Sequence, residues 1–165
     1  MAFKKRNLFD TKFDSIEQLF YNGLRSAEIG NLHSQQSDVI RDYEQNHLEE
    51  PNVSLQLPTG SGKSLIGLLI AEFRRRNRNE KILYLCPTNQ LVHQITNMAN
   101  NKFGIKANGF TGRKDGYDKR KLQEHYNAEA ITITNYSSVF NINPNFDSTD
   151  IIIFDDSHAA ENYVA

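Results

Sequence analysis

The sequence holds one cysteine, four prolines and no tryptophan in 165 residues, and its formal net charge is only −1. Each scarcity excludes something. A lone Cys86 cannot form an intramolecular disulfide or a thiolate metal cage, and inside an apolar run it reads as a small buried residue of a reducing, cytoplasmic protein. With 19 Lys and Arg against 20 Asp and Glu there is no bulk positive field, so a polyanionic partner would have to be met by local patches. The most apolar stretch, Leu65 to Phe73, is far too short to span a bilayer, and the basic start MAFKKRNLF leads into no export segment. No membrane partner is expected. The histidines at 33, 47, 93, 125 and 158 form no i,i+4 pair around a glutamate, so no zinc-protease site is spelled out. Hydrophobic residues at 38% and charged residues at 24% suit a single soluble domain with a genuine core.

What is present is alternation. Ile16, Leu19, Phe20 and Leu24 fall on one helical face, as do Gln36, Val39, Ile40 and Tyr43, predicting two amphipathic helices before residue 50. Val53 to Leu57 reads as a short strand, Pro58 to Gly62 as a loop and Lys63 to Arg76 as a buried helix. Lys81 to Cys86 is apolar throughout, like a parallel strand covered on both faces, and Pro87 ends it. Leu91, Val92, Ile95, Met98 and Ala99 then repeat at helical spacing up to Gly104. Further strands are predicted at Ile105 to Phe110, Ala130 to Thr134 and Asp150 to Asp155. Strands alternating with helices predict an α/β fold, a three-layer parallel sheet with helices on both faces and right-handed crossovers. The chain stops ten residues after Asp155, and such a sheet calls for more strands, so an incomplete domain is expected.

LPTGSGKS, from Leu57 to Ser64, lies between a predicted strand and a predicted helix, the context a phosphate-binding loop requires. Pro58, Thr59, Gly60, Ser61, Gly62, Lys63 and Ser64 are the candidate nucleotide-binding residues. Gly60 and Gly62 let backbone N–H groups turn toward phosphate oxygens, and the helix beginning near Lys63 adds its positive end. Lys63 would reach the β- and γ-phosphates, and the Ser64 hydroxyl is a hard donor for Mg²⁺. The general pattern has glycine where this chain has Leu57, which leaves a glycine-rich turn with an exposed lysine as the bland alternative. IIIFDDSHAAEN places Asp155 and Asp156 at the carboxyl end of a strand, where ligands bind in open α/β sheets. Asp155 suits the metal and Asp156 the attacking water; a strand ending in two aspartates also serves simply to cap a following helix. ATP and Mg²⁺ are the cofactors this pairing implies, with Lys63, Asp155 and Asp156 as the catalytic set.

Taken in order, these stretches resemble the first RecA-like domain of superfamily-two helicases and translocases, a P-loop NTPase fold. SLQLPTGSGKS is similar to motif I, ILYLCPTNQLVHQ to motif Ia, ITITNYSSVFN to the stretch near motif Ib, and IIIFDDSHA to motif II. The likeness implies a helical extension at residues 1–31 and an ATP-binding domain at 32–165 that ends just after motif II. LHSQQSDVIRDY resembles the adenine-reading segment, with Gln36 as the reader. Pro87, Thr88 and Asn89, the Gly112-Arg113 loop, and Thr134, Asn135 and Tyr136 would line a groove for a nucleic-acid backbone, where hydroxyls and amides meet phosphates without reading sequence. His158 would couple the nucleotide site to that groove.

Two departures from the family bear on function. Motif II reads Asp-Asp where relatives more often have Asp-Glu, and Asn89-Gln90 replaces the basic and acidic pair of RNA helicases, which leans the partner toward DNA. The family completes its site with arginines from a second RecA-like domain, so this chain alone is expected to bind nucleotide weakly and turn it over slowly. The alternatives carried forward are the motor subunit of a restriction-type endonuclease and a degenerate nucleotide switch without turnover. Of the two basic clusters, Arg74-Arg75-Arg76-Asn77-Arg78 is read as the solvated end of the phosphate-loop helix, and the run Arg113 to Lys121 as balanced between solvated loop and nucleic-acid contact.

Overall fold

The computed structural model describes residues 11–24, 30–140 and 146–156. The predicted apolar runs pair as β1 (Ile82–Cys86), β2 (Ala107–Phe110), β3 (Ile131–Asn135) and β4 (Ile151–Phe154) in one parallel sheet of order β2-β3-β1-β4. β1 is buried at every position because neighbours flank it on both sides and helices cover both faces. All strands run the same way, so their carboxyl ends share one edge: Cys86 pairs with Asn135, Phe110 with Thr134 and Leu85 with Phe154.

Helices fill the two outer layers. They are α1 (Ile16–Gln18), α2 (Ser34–Asp42), α3 (Lys63–Arg78), α4 (Asn89–Asn97) and α5 (Lys119–Tyr126). π-helical turns at Leu19–Gly23, Tyr43–His47 and Met98–Lys102 prolong α1, α2 and α4. Alternate residues of β1 and β3, namely Ile82, Tyr84, Cys86, Ile131 and Ile133, share a core with α1 to α4. Leu83 and Leu85 point the other way, onto Phe110, Tyr117, Tyr136 and Phe146, with Leu122 of α5 packed against them. Local chemistry sets the helix ends. Thr88 accepts from Leu91 N at 3.2 Å ahead of α4, Asp118 accepts from Arg120 N at 2.8 Å ahead of α5, and Asn79 in the left-handed region (φ 54°) stops α3. Among the described residues no helix is long and apolar enough to cross a membrane.

The structure departs from the sequence reading in several places. Val53 to Leu57 forms no strand: a strand exists only by pairing, and among the described residues no strand pairs with it; Leu57 reaches the core while Val53 and Leu55 stay exposed. Residues 13–20, expected in an extension, share the main core through Ile16, Leu19 and Phe20, and the Asn77 side chain of α3 bonds both the N–H and the carbonyl of Phe13. Arg74, Arg75 and Arg76 are not a solvated face but are buried. Glu72, fully enclosed on the same helix, accepts from Arg75 Nη2 at 2.9 Å and from Arg76 Nε at 2.5 Å, while Arg75 Nη1 reaches the Ala128 carbonyl at 2.9 Å. Arg74 pairs with Glu80 at 2.7 Å and donates to the Tyr43 hydroxyl and the Leu48 carbonyl. These cations hold the fold and are not available to a polyanion. His158 lies outside the described residues.

Breaking a buried ion cluster from one side strands its partners. Glu72→Ala should therefore cost about 3–5 kcal/mol in denaturant unfolding, and an unchanged midpoint would show that the arginines find other partners. A second effect concerns His125, whose ring nitrogens lie 2.8 Å from Thr132 Oγ1 and 3.3 Å from Thr149 Oγ1. Burial lowers its pKa below the usual 6.5. The unfolded chain then takes up the proton first on acidification, so stability falls as pH drops below 6.5 toward the folded-state value. The unfolding midpoint of the native sequence should drop more between pH 7.5 and pH 5.5 than that of His125→Gln.

Candidate functional site

The site forms where the α3 N-terminus meets the carboxyl edge of the sheet. Pro58 to Gly62 turns sharply: Ser61 N bonds the Pro58 carbonyl at 3.2 Å and Ser61 Oγ the same oxygen at 2.5 Å. Gly60 and Gly62 both sit in the left-handed region, at φ 79° and 77°, which L side chains occupy only with strain, and Gly62 is the residue that opens α3. Lys63 and Ser64 follow in the first helical turn, where N–H groups lack intrahelical acceptors. Beside the loop is an open cavity of about 490 Å³, lined by Gln36, by Thr59 through Leu65, and by Met98 and Phe103 from the end of α4. That size is ordinary for a small-molecule site.

Gln36, buried at the start of α2, ties the loop to the body of the domain: its Nε2 donates to the Ser61 carbonyl at 2.8 Å and its Oε1 accepts from His33 N at 2.9 Å. A side-chain amide has two N–H donors and two acceptor lone pairs, so one of each is left over for a ligand.

Asp155 follows β4 and is half-buried, with its N–H on the Leu85 carbonyl at 2.9 Å. Burial raises its pKa first, with the neighbouring Asp156 carboxylate pushing the same way; the Tyr84 hydroxyl and the Lys63 ammonium oppose both. The loop lysine and the strand-end acid therefore share one electrostatic environment. Asp156 is exposed, at φ 65°, where the chain turns after β4. Ser64 comes near the same group: its hydroxyl opposes the burial that raises the Tyr84 pKa, and the Tyr84 hydroxyl donates to Asp155 Oδ1 at 3.2 Å. Burial and the Asp155 charge push the Cys86 thiol up to about 12, which leaves it an inert core group.

The predicted groove residues divide. Pro87, Thr88 and Asn89 lie at the end of β1, partly or fully exposed; Asn135, at the end of β3, donates to Asn89 Oδ1 at 2.5 Å; Gly112 and Arg113 are exposed after β2. Adjacent parallel strands bring these together along one edge. Thr134 and Tyr136 are corrections. Both are fully buried: Thr134 Oγ1 donates to the Phe110 carbonyl at 2.8 Å, and the Tyr136 hydroxyl lies 2.6 and 2.7 Å from the carbonyls of Asp155 and Asp156. Thr134 thereby ties β3 to the end of β2, and Tyr136 stabilises the acidic turn from within. The sequence reading missed Tyr84. Its signal was a single phenol in an aliphatic buried strand, a group that needs a hydrogen-bond partner.

A family model described as the type III restriction enzyme, res subunit, matches residues 29–163. Among solved structures, the UvsW helicase from bacteriophage T4 is similar, with a TM-score of 0.65 and 19% identity over 90% of this chain and 53% of that one. At that identity the likeness is one of fold, a parallel α/β sheet of the RecA-like helicase type, and the chain spans about half the length of that structure. Among curated proteins, none matches this sequence.

The two loop glycines should separate in a denaturant titration. Gly60→Ala meets no atom within 4 Å and carries only the backbone strain, about 1–2 kcal/mol. In Gly62→Ala the new Cβ would stand 2.5 Å from Gln36 Nε2, so the Gln36 latch must also shift and the loss should be larger. Equal losses would show that the latch is unimportant to the loop.

Proposed function

This chain belongs to the family of the type III restriction enzyme res subunit, and we propose that it is the ATP-binding domain of an ATP-dependent helicase or translocase acting on nucleic acid, DNA in preference to RNA. The observation that carries the proposal is the electrostatic coupling of the Lys63 ammonium, which lines the cavity beside the glycine loop, to the Asp155 carboxylate at the neighbouring strand end. Such an arrangement matches a nucleoside triphosphate with its cation: negative phosphates against Lys63 and the helix N-terminus, a positive ion against Asp155.

The donor set fits Mg²⁺. Among the described residues there is no cluster of three His, Cys, Asp or Glu that could cage a metal, but Mg²⁺ keeps waters and phosphate oxygens and asks little of the protein. Ser64 and Asp155 would hold it, and when bound it supplies charge neutralisation between the phosphates. The chain's own residues do the rest. Backbone N–H groups of Gly60 to Ser64 bind the β-phosphate region, Lys63 reaches the γ-phosphate, and Asp156, exposed beside Asp155, orients the attacking water. The remaining N–H and lone pair of Gln36 are complementary to the edge of adenine, and the cavity beside it has room for the base.

Residues 32–165 form this domain in the proposal, and residues 13–20 pack against it. A second RecA-like domain supplies the arginines that complete the site, and a cytoplasmic location suits the unpaired Cys86. Pro87, Thr88, Asn89, Gly112, Arg113 and Asn135 present the groove for the nucleic-acid backbone, with His158 as the coupling residue. The DNA preference is supported by Asn89-Gln90 and by the restriction-enzyme family. That family also favours a specific form of the same reading, the motor subunit of a restriction-type endonuclease.

In the longest protein that contains this chain, duplex DNA should stimulate ATP hydrolysis, and Lys63→Ala and Asp156→Asn should each lower turnover roughly a hundredfold, the scale for loss of a charge-stabilising group. Turnover insensitive to Lys63→Ala would overturn the proposal. An inert native protein that gains hydrolysis in Asp156→Glu would identify the chain as a degenerate switch.

A further inference from the structure

We infer that Tyr84 is a positioning residue, whose hydroxyl holds Ser64 and Asp155 in the relative placement that a nucleotide-bound magnesium ion meets. The inference rests on the reading of Ser64 and Asp155 as the residues toward that ion.

Tyr84 stands at the centre of β1, 1% exposed, paired with Ile153 of β4 two positions before Asp155. Its neighbours along the strand, Ile82, Leu83, Leu85 and Cys86, are apolar and as deeply buried, so packing alone asks only for an apolar side chain there. A buried phenol costs free energy unless its hydroxyl is bonded. Here the hydroxyl donates to Asp155 Oδ1 at 3.2 Å, and the Ser64 hydroxyl is near enough to oppose the burial that raises the Tyr84 pKa. Tyr84 thus stands between Ser64, at the start of the phosphate-loop helix, and Asp155, at the end of β4.

A second residue is shaped around the same ring. Gly67 lies inside α3, where glycine costs about 1 kcal/mol relative to alanine. A Cβ at Gly67 would come within 3.0 Å of Tyr84 Cε2 and 3.2 Å of its hydroxyl oxygen. The helix therefore gives up intrinsic stability at the one place that lets the phenol pass beneath it and reach both Ser64, one turn earlier, and Asp155. Groups that orient metal-holding side chains without touching the metal commonly change metal affinity 10- to 100-fold when removed. Tyr84 has that placement.

The test measures binding of a fluorescent methylanthraniloyl ATP to the chain, in EDTA and across a Mg²⁺ titration, with thermal unfolding followed in parallel. Tyr84→Phe keeps the ring and removes the hydroxyl. The half-saturating Mg²⁺ concentration should rise about tenfold while affinity in EDTA stays at the native value, because the phosphate loop is untouched. Gly67→Ala, which displaces the ring and deletes no polar group, should shift the Mg²⁺ requirement the same way, and it carries the question if Tyr84→Phe fails to fold. An unchanged Mg²⁺ midpoint in both variants overturns the inference, as does an equal loss with and without Mg²⁺, which marks general loosening. Lys63→Ala keeps the two readings apart. If it abolishes nucleotide binding while Tyr84→Phe leaves the Mg²⁺ midpoint unmoved, only the positioning role falls; if the native chain binds no nucleotide, or Lys63→Ala binds it normally, the proposed function falls and takes this inference with it.

Discussion

A carboxylate withdrawn from water at the end of a strand keeps its charge only if something positive or hydrogen-bonding faces it. For Asp155 those groups are the Lys63 ammonium and the Tyr84 hydroxyl, set against its own burial and the adjacent Asp156. That pairing constrains the rest of the molecule. The sheet register must deliver Asp155 to the edge, which it does by carrying the β1–β4 ladder through Leu85 and Phe154 and then placing the Asp155 N–H on the Leu85 carbonyl. A slip of one residue would send Asp155 to the opposite face and bury its charge without a partner. The helix must in turn begin where the strand ends, and this is the job of the left-handed turn at Gly62.

The two ends of α3 are built on opposite principles. At the amino end the N–H groups are left without side-chain caps and the first side chains are Lys63 and Ser64, so the helix dipole and an exposed cation face open space. At the carboxyl end every arginine from 74 to 76 is buried and bonded, to Glu72, Glu80, Tyr43 or the carbonyls of Leu48 and Ala128. A helix whose working end must stay unsatisfied needs to be fixed by its other end, and Arg74 and Arg75 anchor it to segments 26 and 53 residues away in sequence. Local order at one end supports reactivity at the other.

Much of this was legible in the residues, because the relevant signals are local. Helical spacing in Leu91, Val92 and Ile95, the aliphatic runs of β1, β3 and β4, and the contiguous loop from Pro58 to Ser64 each carry their own evidence. What escaped depends on pairing across distance. Val53 to Leu57 has strand composition yet no pairing strand among the described residues, and composition cannot show that. Thr134 and Tyr136 have the chemistry of a phosphate contact, but β3 is covered on both faces, and that is fixed only once it is seated between β2 and β1. The arginines are harder to read for a subtler reason: Glu72, three and four residues before Arg75 and Arg76, is at ion-pair spacing in the sequence itself, but the Ala128 carbonyl that completes the cage belongs to a distant turn.

The Asp-Asp ending of β4 can be understood on the same terms. At φ 65° the backbone of Asp156 lies in the left-handed region, where aspartate and asparagine are the side-chain-bearing residues most readily accommodated because a short polar group can bond locally. Glutamate would bring its carboxylate one methylene nearer to a ligand but lacks that local tolerance. Tyr136 reinforces the turn from below, its buried hydroxyl within hydrogen-bond distance of both the Asp155 and Asp156 carbonyls. Backbone conformation and side-chain reach therefore compete at this single position, and this chain resolves the competition toward a well-held turn. The shorter acid then depends on how closely Lys63 and its loop bring the reacting phosphate to it, which returns the burden to the register of β4 against β1.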